Sequence, residues 1–357
     1  QDGINLTLTI NYEIQASLER ELNNAVLKYN PDQALGIAMN PKTGEILAIA
    51  SKPDFSPSEY KNYTVEEINR NLPIWATYEP GSTFKIITLA TALEENVVDL
   101  EKDTFFDSGA ITVEGATLHC WKHGGHGAET YLQVVENSCN PGFVNLGLKL
   151  GKEKLFSYID KFGFGKKTGI DLNGESSGII FNLDKVGPVE LATTAFGQGV
   201  SVTPIQQITA VSAAINGGAL YKPYVVKSLN EPVTNTVVKQ NEPTKVRTVI
   251  SEETSKKVRE ALESVVTNGT GRPAYIEGYR VGGKTGTAQK VQNGRYMVGN
   301  YIVSFIGFLP ADDPEIIVYV AVDNAKGVTQ YGGTIAAPIA KNVLTDAISI
   351  LNIKKRN

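Results

Sequence analysis

Cysteine, histidine and long apolar runs are all scarce in this chain, and each scarcity narrows what it can be. Two cysteines in 357 residues are too few for a disulfide-stapled scaffold, so the chain must rest on a buried apolar core. An excess of either charge is missing too: 34 Lys and Arg against 38 Asp and Glu give a formal net charge of −4 and a pI near 5.6. Both signs are interspersed, which leaves no electrostatic footprint for nucleic acid. The longest apolar stretches, such as Ile316 to Val322, have the length of a strand and cannot span a bilayer. No signal peptide, membrane segment, internal repeat or low-complexity tract is visible. The lead Gln1-Asp2-Gly3 runs at once into alternating Ile4, Leu6, Leu8 and Ile10, which reads as a strand whose upstream part had been removed.

What is there is globular, with 41% apolar and 20% charged residues, and it carries three short strings with chemical content. The first is Ser82-Thr83-Phe84-Lys85. It follows Pro80-Gly81 and opens a run, Phe84, Ile86, Ile87, Leu89, Ala90 and Leu93, whose spacing predicts a buried helix. A hydroxyl at a helix N-terminus meets free N–H groups and partial positive charge, which favour an alkoxide and an oxyanion. Lys85 falls on the same helical face as Ser82 and can take its proton only while neutral. Burial and neighbouring cations, Lys284 among them, must therefore lower its pKa. In the second string, Ser138-Cys139-Asn140 before Pro141-Gly142, Ser138 would relay a proton to a leaving amine and Asn140 would hold a substrate amide. The third, Lys284-Thr285-Gly286 followed by Thr287, predicts an edge strand whose glycines admit a peptide, with Thr285 and Thr287 binding a terminal carboxylate. Each string alone is ordinary structure; their order and contexts together are not.

The pattern predicts an α+β fold. A helix is expected from about Tyr12 to Tyr29, then strands Ala34 to Met39 and Ile46 to Ala50 around the turn Asn40 to Gly44. From about Trp75 to Gly218 the chain reads as helix and loop, with Thr203-Pro204 opening a helix and Gly217 ending one. Strands return near Val225 and Val237, Ser251 caps a helix that stops at Gly269, and strands follow at Arg280 to Thr287, Ile302 to Leu309 and Ile316 to Val322. A last helix is expected from about Ala336 to Leu351. The order implies one central antiparallel sheet flanked by helices, with a mainly helical subdomain inserted at about 75–218, and a cleft between the two.

Three histidines, His119, His123 and His126, are the only ones in the chain, and the only cysteines are Cys120 and Cys139. Such clustering of soft and imidazole donors invites zinc, while two buried thiols or a Cys120–Cys139 disulfide are the other readings.

Beyond the three strings, Tyr78-Glu79-Pro80-Gly81-Ser82, Gly125-His126-Gly127 and Phe196-Gly197-Gln198-Gly199 sit where the class B penicillin-binding proteins have similar strings. The chain resembles their transpeptidase domain over essentially all of 1–357, in a penicillin-binding-protein and serine β-lactamase-like fold. Leu118 to Lys122 and Asn137 to Gly142 look most like the sporulation branch, with the elongation enzymes as the alternative. The resemblance implies a peptidoglycan D,D-transpeptidase with Ser82 as nucleophile, Lys85, Ser138 and Lys284 as its catalytic partners, and Asn140, Thr285, Gly286 and Thr287 on the substrate. It implies an oxyanion hole from the N–H groups of Ser82 and Thr287, and acylation by β-lactams, with Gly197-Gln198-Gly199 near the cleft. Partners would be peptidoglycan stem peptides and a SEDS-type glycan polymerase. The full-length protein would be anchored at the extracytoplasmic face of the membrane, in the forespore envelope for the sporulation branch. Some relatives carry a structural zinc, which position by position implicates Cys120, His126 and Cys139, with Asp107 fourth and His119 or His123 as its substitutes. A serine β-lactamase, a D,D-carboxypeptidase and a β-lactam-sensing or scaffolding domain share the motifs; the first needs a deacylation glutamate that no omega-loop motif supplies.

Overall fold

Five antiparallel strands make the central sheet, in spatial order Gly282–Gln292, Arg295–Leu309, Ile316–Asp323, Gln33–Met39 and Ile46–Lys52. The computed structural model describes residues 3–292 and 294–356, so the Gln1-Asp2 lead lies outside it. The middle strand is apolar without interruption because both faces are covered. Val318, Val320 and Val322 face one core with Ile14, Leu18 and Leu22 of helix Tyr12–Tyr29 and with Ile335, Val343 and Leu344 of helix Gly332–Ile350. Ile317, Tyr319 and Ala321 face the other with Phe84, Ile87 and Leu89. That alternation is the two-residue period of a strand, and it makes the sheet a wall between two cores.

The first helix begins where Asn11 accepts the N–H groups of Glu13 and Ile14 at 3.0 and 3.1 Å, and it ends at Asn30, whose φ of 42° stops helical propagation. Between Lys52 and Gly282 the chain leaves the sheet and builds the second core. Its centre is helix Lys85–Glu94, buried from Lys85 to Leu93, beside helix Pro204–Ile215, buried at every residue. Helix Glu252–Thr267 lies against both this body and the strand Gly282–Gln292. The helical body and the sheet thus press together where the three motifs meet.

Two parts differ from the sequence reading. Residues 104–130, expected as helix and loop, form two antiparallel pairs: Thr104–Asp107 with Gly127–Thr130, and Ala110–Val113 with Ala116–His119. Strands of four residues are too short to show a period, and the inner turn uses Glu114-Gly115, at φ 44° and 83°, where Asn-Gly would have been recognised. The closing helix starts at Gly332, before the expected Ala336, at a position that packing restricts to glycine. A Cβ there would lie 2.4 Å from the carbonyls of Gly286 and Ser304. At the other end of the chain, strand Asn5–Leu8 pairs with Val226–Asn230 as a strand should, yet Ile4, Leu6 and Leu8 are exposed.

Candidate active site and metal cluster

Ser82 lies in a tight turn, Gly81–Phe84, that feeds directly into helix Lys85–Glu94. The turn is pressed between the strand Gly282–Gln292 and the loop Phe196 to Gly199. Gly81, at φ 54°, has Thr287 O and Ala288 Cβ at 3.2 and 3.1 Å from where a Cβ would stand, so only glycine fits. On its other side the Gly81 N–H donates to Gly197 O at 3.0 Å, and the Gly199 N–H donates to Glu79 at 2.8 Å. The Phe196 to Gly199 loop is therefore beside the Ser82 turn. Ser82 is half-buried, and its hydroxyl makes no hydrogen bond among the described residues.

Lys85 and Lys284 are each 1% exposed and converge on one side chain. Lys85 Nζ donates to Ser138 O at 2.8 Å, Ser138 Oγ at 3.2 Å and Asn140 Oδ1 at 2.6 Å. Lys284 Nζ donates to Ser138 Oγ at 2.8 Å and Thr285 O at 3.2 Å. With both acceptor lone pairs of the Ser138 hydroxyl engaged, its own proton is free for a third partner. Ser138 holds a φ of 54°, a left-handed backbone uncommon outside glycine and concentrated at functional sites. The turn it occupies is fixed behind it by Cys139, whose Sγ caps helix Asn140–Leu150. Burial pushes Lys85 down to about 7, the neighbouring cysteines partly opposing it. Burial also pushes Lys284 well below its ordinary value, and repulsion from Lys85 adds to this. Of the two causes expected from the sequence, burial is the one that depresses Lys85, and the repulsion between the lysines falls on Lys284.

Strand Gly282–Gln292 pairs only with Arg295–Leu309, which leaves its other edge open among the described strands. Glycine at 286 is forced, since a Cβ would stand 2.3 Å from Ser304 Oγ. Thr287 Oγ1 accepts the Gly332 N–H at 3.2 Å, bringing the N-terminus of the closing helix to the strand. Gly332 was not among the residues singled out by sequence, and a bare glycine pair offers no signal for it.

Immediately behind Ser138, the side chains of Asp107, Cys120, His126 and Cys139 bring their donor atoms within 4.8 Å of one another. Asp107 Oδ2 and Cys120 Sγ lie 2.9 and 3.5 Å from His126 Nδ1. His119 and His123 are exposed and stand outside the group, whose fourth side chain is Asp107. The thiols are not bonded to each other. Burial would raise Asp107, but hydrogen bonds with Cys120, the Gly109 amide, His126 and Cys139 outweigh it and hold the carboxyl at about 2. Hydrogen bonding to Cys139 lowers Cys120 to about 7, while the same bond and burial push Cys139 up. Tetrahedral zinc with bonds of roughly 2.0–2.3 Å puts its ligands about 3.3–3.8 Å apart, so small movements would close this set on the ion. His126 Nε2 and Glu129 Oε2 are buried without a partner. The loop is tied to the active site directly: Asn140 Nδ2 donates to His119 O at 3.0 Å and Trp121 Nε1 to Asn137 O at 2.8 Å. Trp121 and Glu129 had no role in the sequence reading.

A serine-opened helix, with a buried lysine pair sharing a second serine beneath an open sheet edge, defines the serine–lysine class of acyl-transfer folds. The chain belongs to the penicillin-binding protein transpeptidase domain family, whose family model matches residues 34–345. It is 63% identical over 356 residues to stage V sporulation protein D of Bacillus subtilis (strain 168), covering 100% of this chain and 55% of that protein. It is 32% identical over 357 residues to the peptidoglycan D,D-transpeptidase FtsI of Escherichia coli (strain K12), covering 99% and 58%. The chain thus spans about half the length of these curated relatives. Among solved structures, penicillin-binding protein 3 of Mycobacterium tuberculosis complexed with aztreonam aligns at a TM-score of 0.91 and 28% identity, over 99% of this chain and 81% of that one. The transpeptidase domain of Burkholderia pseudomallei penicillin-binding protein 3 aligns at 0.85 and 27%, over 98% of both.

Proposed function

We propose that this chain is the D,D-transpeptidase domain of a class B penicillin-binding protein of the sporulation branch, cross-linking peptidoglycan stem peptides. One observation carries the reading: two buried lysines share the Ser138 hydroxyl next to the turn that presents Ser82. Ser82 Oγ attacks the carbonyl carbon of the penultimate D-Ala while its proton passes to neutral Lys85. The N–H groups of Ser82 and Thr287 take the oxyanion, and Asn140 and the strand Lys284 to Thr287 hold the peptide, with Thr285 and Thr287 on its carboxylate. The amide C–N bond then breaks, and the leaving D-Ala amine takes a proton relayed from Lys85 through Ser138. An amine of a neighbouring stem peptide attacks the ester carbonyl and gives a proton to Lys85, the C–O bond to Ser82 breaks as Lys85 passes that proton to Ser82 Oγ, and the Ser82 hydroxyl and neutral Lys85 are restored. Penicillins would acylate Ser82 by the same first step. Deacylation by water has no omega-loop glutamate motif to serve it, and Glu175, in the loop after Gly165, accepts from Thr168 and Gly169.

Zinc belongs to the same proposal. Asp107, Cys120, His126 and Cys139 would fill four positions and leave none for substrate, so the ion would neutralise the buried thiolates and hold the turn that carries Ser138. A SEDS-type polymerase as partner, a membrane anchor and a place at the extracytoplasmic face of the forespore envelope complete the proposal and rest on the family resemblance of the motifs; the likeness to the sporulation protein bears on sporulation alone. No helix among the described residues is long and apolar enough to cross a membrane. The test is product analysis with a donor peptide ending in D-Ala-D-Ala and an amine acceptor. Transfer to the amine with release of D-Ala is expected; release without transfer would make the chain a carboxypeptidase.

A further inference from the structure

Trp121 is one of two tryptophans in the chain and is 52% exposed, although tryptophan is highly buried on average. The other, Trp75, has the Arg70 guanidinium over its ring at 4.6 Å. Trp121 meets the His126 ring in a tilted contact, 5.4 Å between centroids and 60° between planes, and half of it is left to solvent. The one polar atom of its side chain is turned inward, where Nε1 donates to Asn137 O at 2.8 Å. What it offers outward is bare π surface. That surface is also fixed. The Cys120 N–H donates to Gly109 O at 2.8 Å, and the Gly125 N–H closes a turn on Lys122 O at 3.0 Å. Gly125 is packed so tightly that a Cβ would lie 2.3 Å from Asp107 O. Between these anchors residues 121–124 are all exposed.

This platform stands beside the residues that would take the donor. Asn137 directly precedes Ser138, and Asn140, the proposed holder of the substrate amide, donates to His119 O at 3.0 Å, two residues before Trp121. A stem peptide is joined to its glycan through its first residue. Four residues of chain, up to about 14 Å when extended, therefore separate the carbonyl that Ser82 attacks from the nearest pyranose, which places the sugar on the surface around the cleft. A pyranose presents a face of C–H groups carrying partial positive charge, which suits the negative face of an indole. An aromatic ring already held in place also loses little freedom on binding. Lys122, exposed at the next position, supplies donors for hydroxyl and acetamido oxygens. We infer that Trp121 is a glycan subsite, its exposed face stacking on a pyranose of the strand that carries the donor stem peptide. The inference rests on the proposed peptidoglycan substrate and adds the sugar to it.

The experiment measures kcat/KM for D-Ala release, with the amine acceptor present, from a disaccharide-linked pentapeptide and from the same pentapeptide without sugars, for the parent chain, Trp121→Ala and Trp121→Phe. The parent should prefer the sugar-bearing donor, and Trp121→Ala should cut that preference roughly 3- to 10-fold, the worth of one aromatic contact. Loss of the bond to Asn137 slackens the Ser138 turn for both donors alike and cancels in the ratio, as does any loss of folded protein. Trp121→Phe loses the same bond but keeps a ring, so it should keep most of the preference. A parent without preference, equal slowing of both donors in Trp121→Ala, or a preference lost as fully in Trp121→Phe would each overturn the inference. A binding measurement needs no turnover. In Ser82→Ala protein the indole N–H resonance of Trp121 should shift with the disaccharide pentapeptide far more than with the bare one, with Trp75 as the internal control. A resonance that moves with neither, or equally with both, would also overturn the inference. If neither peptide released D-Ala while a penicillin still acylated Ser82, the transpeptidase reading would fall, and the indole resonance would decide the glycan subsite separately.

Discussion

Two buried polar clusters meet back to back at Ser138 and Cys139, and they are satisfied in opposite ways. On the Ser138 side, the five donations from Lys85 and Lys284 all end on protein oxygens at 2.6 to 3.2 Å. On the Cys139 side, two thiols and Asp107 surround one imidazole, while His126 Nε2 and a Glu129 oxygen are buried unpaired. A buried polar group without a partner costs about 1–3 kcal/mol, which the second cluster bears in its unpaired atoms, whereas the cost of the first is the desolvation of two ammonium groups, expressed in the lowered pKa of both lysines. Burial tunes the lysine pair towards neutrality; the cysteine cluster directly behind it has the donor chemistry of a cation site.

The comparison breaks most sharply if the lysine side is not where the chemistry happens. Lys85→Ala should reduce acylation of Ser82 by at least about 10²- to 10⁴-fold at any accessible pH, the usual worth of a positioned base, measured as the rate of penicillin adduct formation. Lys284→Ala should slow acylation roughly 10- to 100-fold, as expected for one charge-assisted contact, with residual reactivity. The reverse ranking would exchange the roles of the two lysines.

Next in size is the pH dependence. A lysine at its ordinary value of about 10.5 would be neutral in roughly one molecule in three thousand at pH 7, whereas Lys85 at about 7 is half neutral there. Only the neutral form accepts a proton, so acylation should climb with pH through about 7 and then level. A rate still rising steeply at pH 9 would show that burial does not tune this lysine.

The smallest effect on chemistry belongs to the cysteine side. Purified protein should carry close to one equivalent of zinc, and a strong chelator should lower Tm because a ligand of the native state is lost. Acylation should fall with it indirectly, since Asn140 and Asn137 are tied to the same loop. Cys139→Ser should mimic the chelator and His123→Ala should not. Metal-free protein that was never chelated, or a mass two units low from a Cys120–Cys139 disulfide, would remove zinc from the account.

The three strings were legible because each couples a residue type to a local context: a serine opening a helix, a serine before Pro-Gly, a lysine among strand glycines. The Tyr12–Tyr29 helix and the sheet strands were legible by period, since long elements facing a core repeat their pattern. What escaped was set by contacts distant in sequence. Four-residue strands at 104–130 have no period to read, and their pairing is what brings Asp107 to His126. Gly332 matters only because the fold carries it to Thr287. The left-handed backbone at Ser138 likewise has no signature in the residue itself.

Intact mass after incubation with a penicillin, for the parent chain beside Ser82→Ala, tests the central claim most directly. The account predicts one stable adduct on the parent, persisting far longer than a β-lactamase would permit, and none on Ser82→Ala. An adduct on both would contradict the nucleophile, and rapid return of the parent to its free mass would contradict the transpeptidase reading.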